Sequence, residues 1–144
     1  ALLENGERGR VPNRLDLDAA SRHFIELRGR MISLQEELDW QCYCLYGLLP
    51  GGDKPADLES EAPPELVLGE RAFEIVLARR VAAGDESTSW FERHGSTPIT
   101  ELPAHWPADY RAVVERRIAL IESDRSIGLI ERPEFKRRWN TPAW

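Results

Sequence analysis

Between Asp16 and Tyr46 apolar residues return every seven positions: Leu17, Phe24, Met31, Leu38 and Leu45. A second series, Ala20, Leu27 and Leu34, keeps the same interval and breaks at Gln41. Seven residues is close to two α-helical turns, so both series fall on one side of a helix, as in the a/d seam of a coiled coil. Ile25, Ile32, Cys42 and Tyr46 widen the stripe. Asp16 or Asp18 suits the positive end of the helix dipole as an N-cap, and Gly47 suits the left-handed conformation of a helix end. The pattern predicts a helix over 16–46, with a local weakness at Gly29, where Gly costs ~1 kcal/mol against Ala. Burying about eight seam side chains at ~1.5–3 kcal/mol each gives ~10–20 kcal/mol before chain entropy is subtracted. Leu17, Phe24, Leu27, Met31, Leu34, Leu38 and Leu45 therefore form an expected docking seam. Its partner surface is expected either within the chain, on helices around 70–83 and 107–123, or on the remainder of a longer protein.

The rest of the chain reads as shorter helices joined by Pro/Gly-rich connections, an all-α domain over 16–144. Residues 1–15, with Gly6, Gly9 and Pro12, read as a flexible linker. Residues 47–65, with Gly51-Gly52, Pro55, Pro63-Pro64 and five acidic residues, read as a loop. A helix is expected over 70–83 with Phe73, Val76, Leu77 and Val81 inward and Gly84 as terminator. Another is expected over 85–93, then a rigid loop over 94–106. Pro107 is placed to open a third main helix with Tyr110, Val113, Val114, Ile118 and Ile121 on one side. Residues 126–130 read as a break or a short extended piece, and Pro133 as the start of a last short helix ending near Trp139.

At 144 residues and 42% hydrophobic, the chain has the size and content of one ordinary domain. It contains no run of 18 apolar residues, so no membrane span is expected. It begins with Ala and a charged stretch, which reads as an excised segment without a signal peptide. Cys42 and Cys44 lie about 200° apart on a helix and can neither bond each other nor share a metal; a cytoplasmic setting is the expectation. The net charge of −6 is uneven. Residues 1–89 carry ten basic and seventeen acidic side chains, and residues 90–144 carry nine and eight. An acidic front half argues against that half lying along a nucleic acid.

A search for catalytic chemistry finds no phosphate loop, no His-Glu-x-x-His and no Gly-x-Ser-x-Gly. His23, His94 and His105 have no metal-ligand spacing. Glu36-Glu37 and Glu70/Glu74 are paired carboxylates that on helices more often face solvent than perform acid–base work. The turn at Gly95-Ser96-Thr97-Pro98 is ordinary turn chemistry, with Ser96 and Thr97 as the alternative candidates for an anion contact. The aromatics Trp90, Phe91, Trp106, Tyr110, Phe135, Trp139 and Trp144 read as a cluster gluing short helices together, with base stacking as the alternative. Arg132, Lys136, Arg137 and Arg138 form the densest positive cluster, a solvated face or a set of DNA phosphate contacts.

Two stretches are more specific. One is Glu37-Leu38-Asp39-Trp40-Gln41-Cys42-Tyr43-Cys44-Leu45-Tyr46-Gly47-Leu48, which resembles a helix end of large bacterial adenine-specific DNA methyltransferases. The other is an ordered series: 69–80 beginning Gly69-Glu70-Arg71, 90–101 beginning Trp90-Phe91-Glu92, His105-Trp106-Pro107, and 121–139 ending Lys136-Arg137-Arg138-Trp139. Together, over about residues 16–144, they resemble the carboxy-terminal region of the PglX adenine-specific DNA methyltransferases of type 2 BREX, the phage growth limitation systems. The resemblance implies a parent that transfers a methyl group from S-adenosylmethionine to adenine in DNA. Such transfer requires a Gly-rich donor motif and an Asn-Pro-Pro-Tyr-type clamp for the flipped base. Neither occurs here, since Pro63-Pro64 lacks both the amide and the aromatic ring. No catalytic, cofactor or metal residue is therefore carried onto this chain.

Two functions follow as expectations. One is an accessory module that positions DNA or docks a subunit beside a catalytic domain elsewhere in the parent. The alternative is a purely protein–protein module that docks another defence subunit or a second copy. A small independent enzyme is disfavoured because no site unites nucleophile, base and stabiliser.

Overall fold

The structure, a computed structural model, describes residues 9–50 and 55–139. Residues 1–8 of the expected linker, Gly51-Gly52 and Trp144 lie outside the described residues. The elements are α1 (Arg14–Leu45), α2 (Pro55–Leu58), α3 (Ala72–Ala82), α4 (Trp90–His94), α5 (Ala108–Ser123) and α6 (Arg125–Ile130), followed by a 3-10 turn over Pro133–Phe135. No strand occurs among the described residues, and the fold is all-α as expected.

Helix α1 spans 32 residues and has defined ends. Asn13, not Asp16 or Asp18, is the N-cap: its Oδ1 accepts from the Asp16 N–H at 2.9 Å, and Asp16 Oδ2 accepts from the Asn13 N–H at 2.9 Å. This reciprocal pairing satisfies two helix-end donors and moves the start two residues upstream of the expectation. At the other end Gly47 takes φ +70°. The Leu48 N–H reaches the Tyr43 carbonyl and the Gly47 N–H the Cys44 carbonyl, closing the helix as a Schellman turn.

The main correction concerns which side of α1 faces the body. Its buried residues are Gly29, Ile32, Ser33, Glu36, Glu37 and Trp40. Leu17, Leu27, Met31, Leu34, Leu38 and Leu45 are between 45% and 83% exposed, and Phe24 is half-buried. At 100° per residue, the buried row and the seam lie about 180° apart. The seam exists as a stripe, but it does not pack on α3 and α5. Gly29 also changes meaning. The extended segment after α2 crosses α1 there, and the Leu66 N–H donates to the Gly29 carbonyl at 3.1 Å. A Cβ on Gly29 would sit 3.2 Å from the Leu66 oxygen, so the glycine serves a close crossing.

The core lies between α1, α3, α5 and α6. Ile32 and Trp40 of α1 meet Ile75 and Val76 of α3, Tyr110, Val114, Ile118 and Ile121 of α5, and Ile127 of α6, with Leu58, Leu66, Leu68 and Trp106 closing the edges. Phe73, Leu77 and Ala78 form a second cluster with Trp90 and Phe91. All five expected inward residues of α5 are buried. On α3, Phe73, Val76 and Leu77 are buried, while Val81, in the last turn, is exposed. Residues 85–89 are not helical, and α4 is a five-residue turn carrying Trp90 and Phe91. Residues 126–130 belong to a helix, not to an extended break. Asp124 caps α6 by accepting from the Ile127 N–H at 2.9 Å. Gly128 lets α6 fold back on α5, where a Cβ would lie 2.7 Å from the Ile121 oxygen.

The inside-out placement of α1 sets an expectation for stability. Trp40→Ala empties a fully buried site and should cost ~3–5 kcal/mol in urea unfolding of the chain. Leu34→Ala, on the outward stripe, should change stability by less than about 1 kcal/mol. A larger loss from Leu34→Ala than from Trp40→Ala would mean the helix is turned the other way.

Candidate functional site

Three ion-paired networks hold the body together, and the first two explain why α1 buries its polar face. In the first, Lys136, just after the 3-10 turn, inserts its ammonium against α1. Its Nζ lies 2.6 Å from Asp39 Oδ2, 2.9 Å from Glu131 Oε1 and 3.1 Å from Glu36 Oε1. The Tyr43 hydroxyl donates to Glu131 Oε1 at 2.6 Å. Burial opposes the lysine's charge, but Glu36 and Glu131 outweigh it and hold its pKa well above the ordinary value. One ammonium does not balance three carboxyls. Burial, with Glu36 adding, raises the Glu131 pKa, while Lys136 and Tyr43 oppose the rise. Burial likewise raises the Tyr43 phenol, with Glu131 adding to the shift.

In the second network Arg117 of α5 donates to Glu37 Oε1 at 2.8 Å and, through Nε and a terminal nitrogen, to the Leu58 carbonyl. Glu37 Oε2 accepts from the Ser60 N–H at 2.8 Å, so the carboxylate ties α5 and the segment after α2 to α1. The guanidinium lies 5.4 Å from the centre of the Trp40 ring, within the range of a cation–π contact. In the third, Glu74 of α3 accepts from the Gly69 and Arg71 N–H groups, the Arg71 guanidinium and the Trp90 indole. Arg71 also donates to the Arg137 carbonyl at 2.6 Å. The two carboxylate pairs singled out in the sequence thus divide. Glu36, Glu37 and Glu74 are buried and held in structural networks. Glu70, partly buried, accepts from the Val67 N–H at 2.9 Å, and burial raises its pKa.

These networks redraw the candidate phosphate contacts. Lys136 is buried in the first network and is withdrawn from the set, because its ammonium cannot reach a phosphate without leaving three carboxyls behind. Arg132 is exposed and lies 3.4 Å from Glu134. Arg137 and Arg138 are exposed, with Arg137 stacked 4.7 Å over Trp139. Arg138 and Arg93 line one shallow cleft of about 180 Å³ with Glu86 and Glu134. Ser96 and Thr97 line another, of about 300 Å³, with Arg28, Gly95 and Glu70. Arg132 lines a third. The expected contacts therefore do not converge.

The turn at Gly95 is used internally. Gly95 adopts φ +61°, its N–H reaches the Glu92 carbonyl, and the Ser96 N–H reaches the Phe91 carbonyl at 2.9 Å. The turn chemistry ends α4 and leaves those two N–H groups unavailable to an anion. Of the aromatics, Trp90, Phe91, Trp106 and Tyr110 are buried, Trp139 is half-buried and Phe135 is exposed. No cluster of three metal-ligating side chains occurs among the described residues, and no described helix is long and apolar enough to cross a membrane.

What remains as a site is the outer face of α1. Its first fifteen residues contain no buried position; the first is Gly29. This half of the helix, the arm, is its least buried part. The packed half nucleates it, and each further residue adds only a propagation step. Leu17, Phe24, Leu27, Met31, Leu34 and Leu38 line it as one continuous stripe. The sequence identified the stripe by its period. It carried no signal for the buried carboxyls opposite, Glu37 and Glu36, whose partners Arg117 and Lys136 lie 80 and 100 residues away.

The fold and these surfaces define an all-α domain held by buried ion pairs. The family described as "Domain of unknown function (DUF7008)" matches residues 31–144, and the chain belongs to that family. Over 132 residues it is 62% identical to the adenine-specific methyltransferase PglX of Streptomyces coelicolor A3(2), covering 89% of this chain and 11% of that protein. The resemblance to PglX methyltransferases read from the sequence is borne out. The chain spans about a tenth of its relative's length. No solved structure matches it.

Two measurements test the Lys136 network. Lys136→Met leaves buried Glu36 and Glu131 and half-buried Asp39 without their cation and should cost ~3–5 kcal/mol in denaturant unfolding. The Glu131 pKa is raised by folding, so its stabilising contribution is complete below the ordinary glutamate value, about pH 4, and is lost as pH rises toward the folded value. Glu131→Gln keeps the hydrogen bonding without the charge and should flatten the fall in stability above about pH 4. An unchanged pH profile would contradict that role.

Proposed function

We propose that this chain is an accessory region of a phage-defence adenine-specific DNA methyltransferase of the PglX kind, and that it docks a partner surface through the outward stripe of α1. Methyl transfer from S-adenosylmethionine belongs, in this reading, to the rest of the polypeptide. The observation that carries the proposal is the inverted helix. A surface stripe of seven large apolar side chains along a single helix is a contiguous patch of the kind that marks interaction sites. The supporting facts are the 62% identity to a methyltransferase roughly nine times the length of the match and the absence from the sequence of a donor cradle and a base clamp. Buried ion pairs hold the opposite face rigid, so docking costs the helix little additional ordering.

Hydrogen exchange on this chain alone and on the full-length methyltransferase tests the reading. Amides of residues 14–28 should exchange at least about tenfold more slowly in the full-length protein, where the stripe is covered. Equal exchange in both would remove the docking role.

A second reading, DNA positioning, is favoured by one observation: exposed Arg137 and Arg138, with Arg93 beside Arg138. In an anisotropy titration with duplex DNA, binding should weaken with salt, and Arg137→Ala/Arg138→Ala should lower the salt slope by about two. Salt-independent binding, or an unchanged slope, would remove this reading.

A further inference from the structure

Phe135, at the end of the 3-10 turn, is 67% exposed, although the backbone that carries it is pinned on both sides. Before it, Pro133 fixes the turn and the Phe135 N–H reaches the Arg132 carbonyl at 3.0 Å. After it, the Lys136 ammonium is buried against Glu36 and Glu131. Lys136 is extended (φ −95°, ψ 150°), so with its side chain inward the neighbouring Phe135 and Arg137 point outward. The Arg137 carbonyl accepts from Arg71, and its guanidinium rests 4.7 Å over the Trp139 ring. The ring and the guanidinium are thus presented to solvent from a fixed segment.

The free charges around Phe135 are positive. Arg137 and Arg138 follow it, and Arg93 lines the same cleft as Arg138. Two carboxylates line that cleft too, and each has another arginine: Glu134 lies 3.4 Å from Arg132 and Glu86 3.9 Å from Arg80. Among the described residues no carboxylate lies within ion-pair distance of Arg93, Arg137 or Arg138. A docked protein is normally held by a contiguous apolar patch. From Glu131 to Trp139, Phe135 is the one large apolar side chain that is exposed, and it stands among charges. Nucleic acid uses that combination: a single apolar wedge enters a base step, and basic side chains take the backbone. The backbone selects the groove. The major groove admits a helix or a two-stranded ribbon, whereas a lone extended segment fits the narrower minor groove.

Resting on the DNA-positioning reading above, we propose that the segment Phe135–Arg138 enters the minor groove of duplex DNA, with Phe135 as a wedge against a base step and Arg137 and Arg138 on the flanking phosphates. Burial of Lys136 between them leaves the wedge and the phosphate contacts on a backbone that needs little further ordering on binding. The stacked Arg137 likewise holds its guanidinium in place before a phosphate arrives.

The test uses the full-length methyltransferase and an A·T-rich duplex. With p-azidophenylalanine in place of Phe135, irradiation should link the protein to DNA, and netropsin, which fills the A·T minor groove, should suppress the link. No link to DNA, a link that survives saturating netropsin, or a link to protein instead would each overturn the assignment. Phe135→Ala should weaken binding by about tenfold. It should leave the salt slope unchanged, because it removes an apolar contact and no charge. Arg137→Ala/Arg138→Ala should lower the slope. If the arginine pair lowers the slope and Phe135→Ala leaves the affinity unchanged, DNA positioning stands and the wedge falls. If neither variant changes binding, DNA positioning falls as well.

Discussion

The Lys136 ammonium, held among Glu36, Asp39 and Glu131, organises the rest of the molecule. It joins the last described segment to α1, 97 residues away in sequence, and it gives two of the carboxyls on the inner face of α1 a cation. An ammonium and two carboxyls removed from water, with Asp39 half-buried beside them, carry a large desolvation cost, offset only by close geometry and shared hydrogen bonds. The Tyr43 hydroxyl on Glu131 supplies one of those. The raised Glu131 pKa shows where the imbalance is relieved: the carboxyl that is most buried holds its proton more tightly.

With the carboxyls committed inward, the orientation of α1 follows. Glu36 and Glu37 point at Lys136 and Arg117, Trp40 fills the gap between these cations and the core, and Ile32 and Gly29 extend the same row. A helix has only one face opposite this one, and on it stand the leucines. The usual arrangement, apolar in and charged out, is reversed because ion pairs and one large indole anchor the helix. Buried polar contacts of this kind are demanding in geometry and contribute less net stability than their number suggests, so they favour a unique seating of α1 over a strong one.

The sequence was informative about periodicity and silent about orientation. The seven-residue interval correctly placed the stripe, and Gly47, Gly84 and Pro107 marked helix ends to within one or two residues. A period identifies residues that share a face. It does not say whether that face looks inward. Glu36-Glu37 reads the same in sequence whether it meets water or a buried guanidinium, because Arg117 and Lys136 are far along the chain. Lys136 was mistaken for a surface charge for the same reason: three adjacent basic residues look alike until the fold separates one of them. Helix α6 is too short for a period to reveal it, and Gly128 lets it approach the Ile121 carbonyl.

The stretches that resemble methyltransferases coincide with these networks. Glu37, Asp39, Trp40 and Tyr43 come from the first; Arg71, Glu74 and Trp90, Glu131 and Lys136 come from the others. Motif residues that meet one another in the interior explain a shared fold without implying shared chemistry at that place. The arm and its stripe lie on the opposite side of α1, where those interior contacts make no demand on residue type. Exposed leucines at regular intervals gain nothing from water, and the proposed docking role gives them a cause outside the domain. It also accounts for a helix whose first fifteen residues contain no buried position.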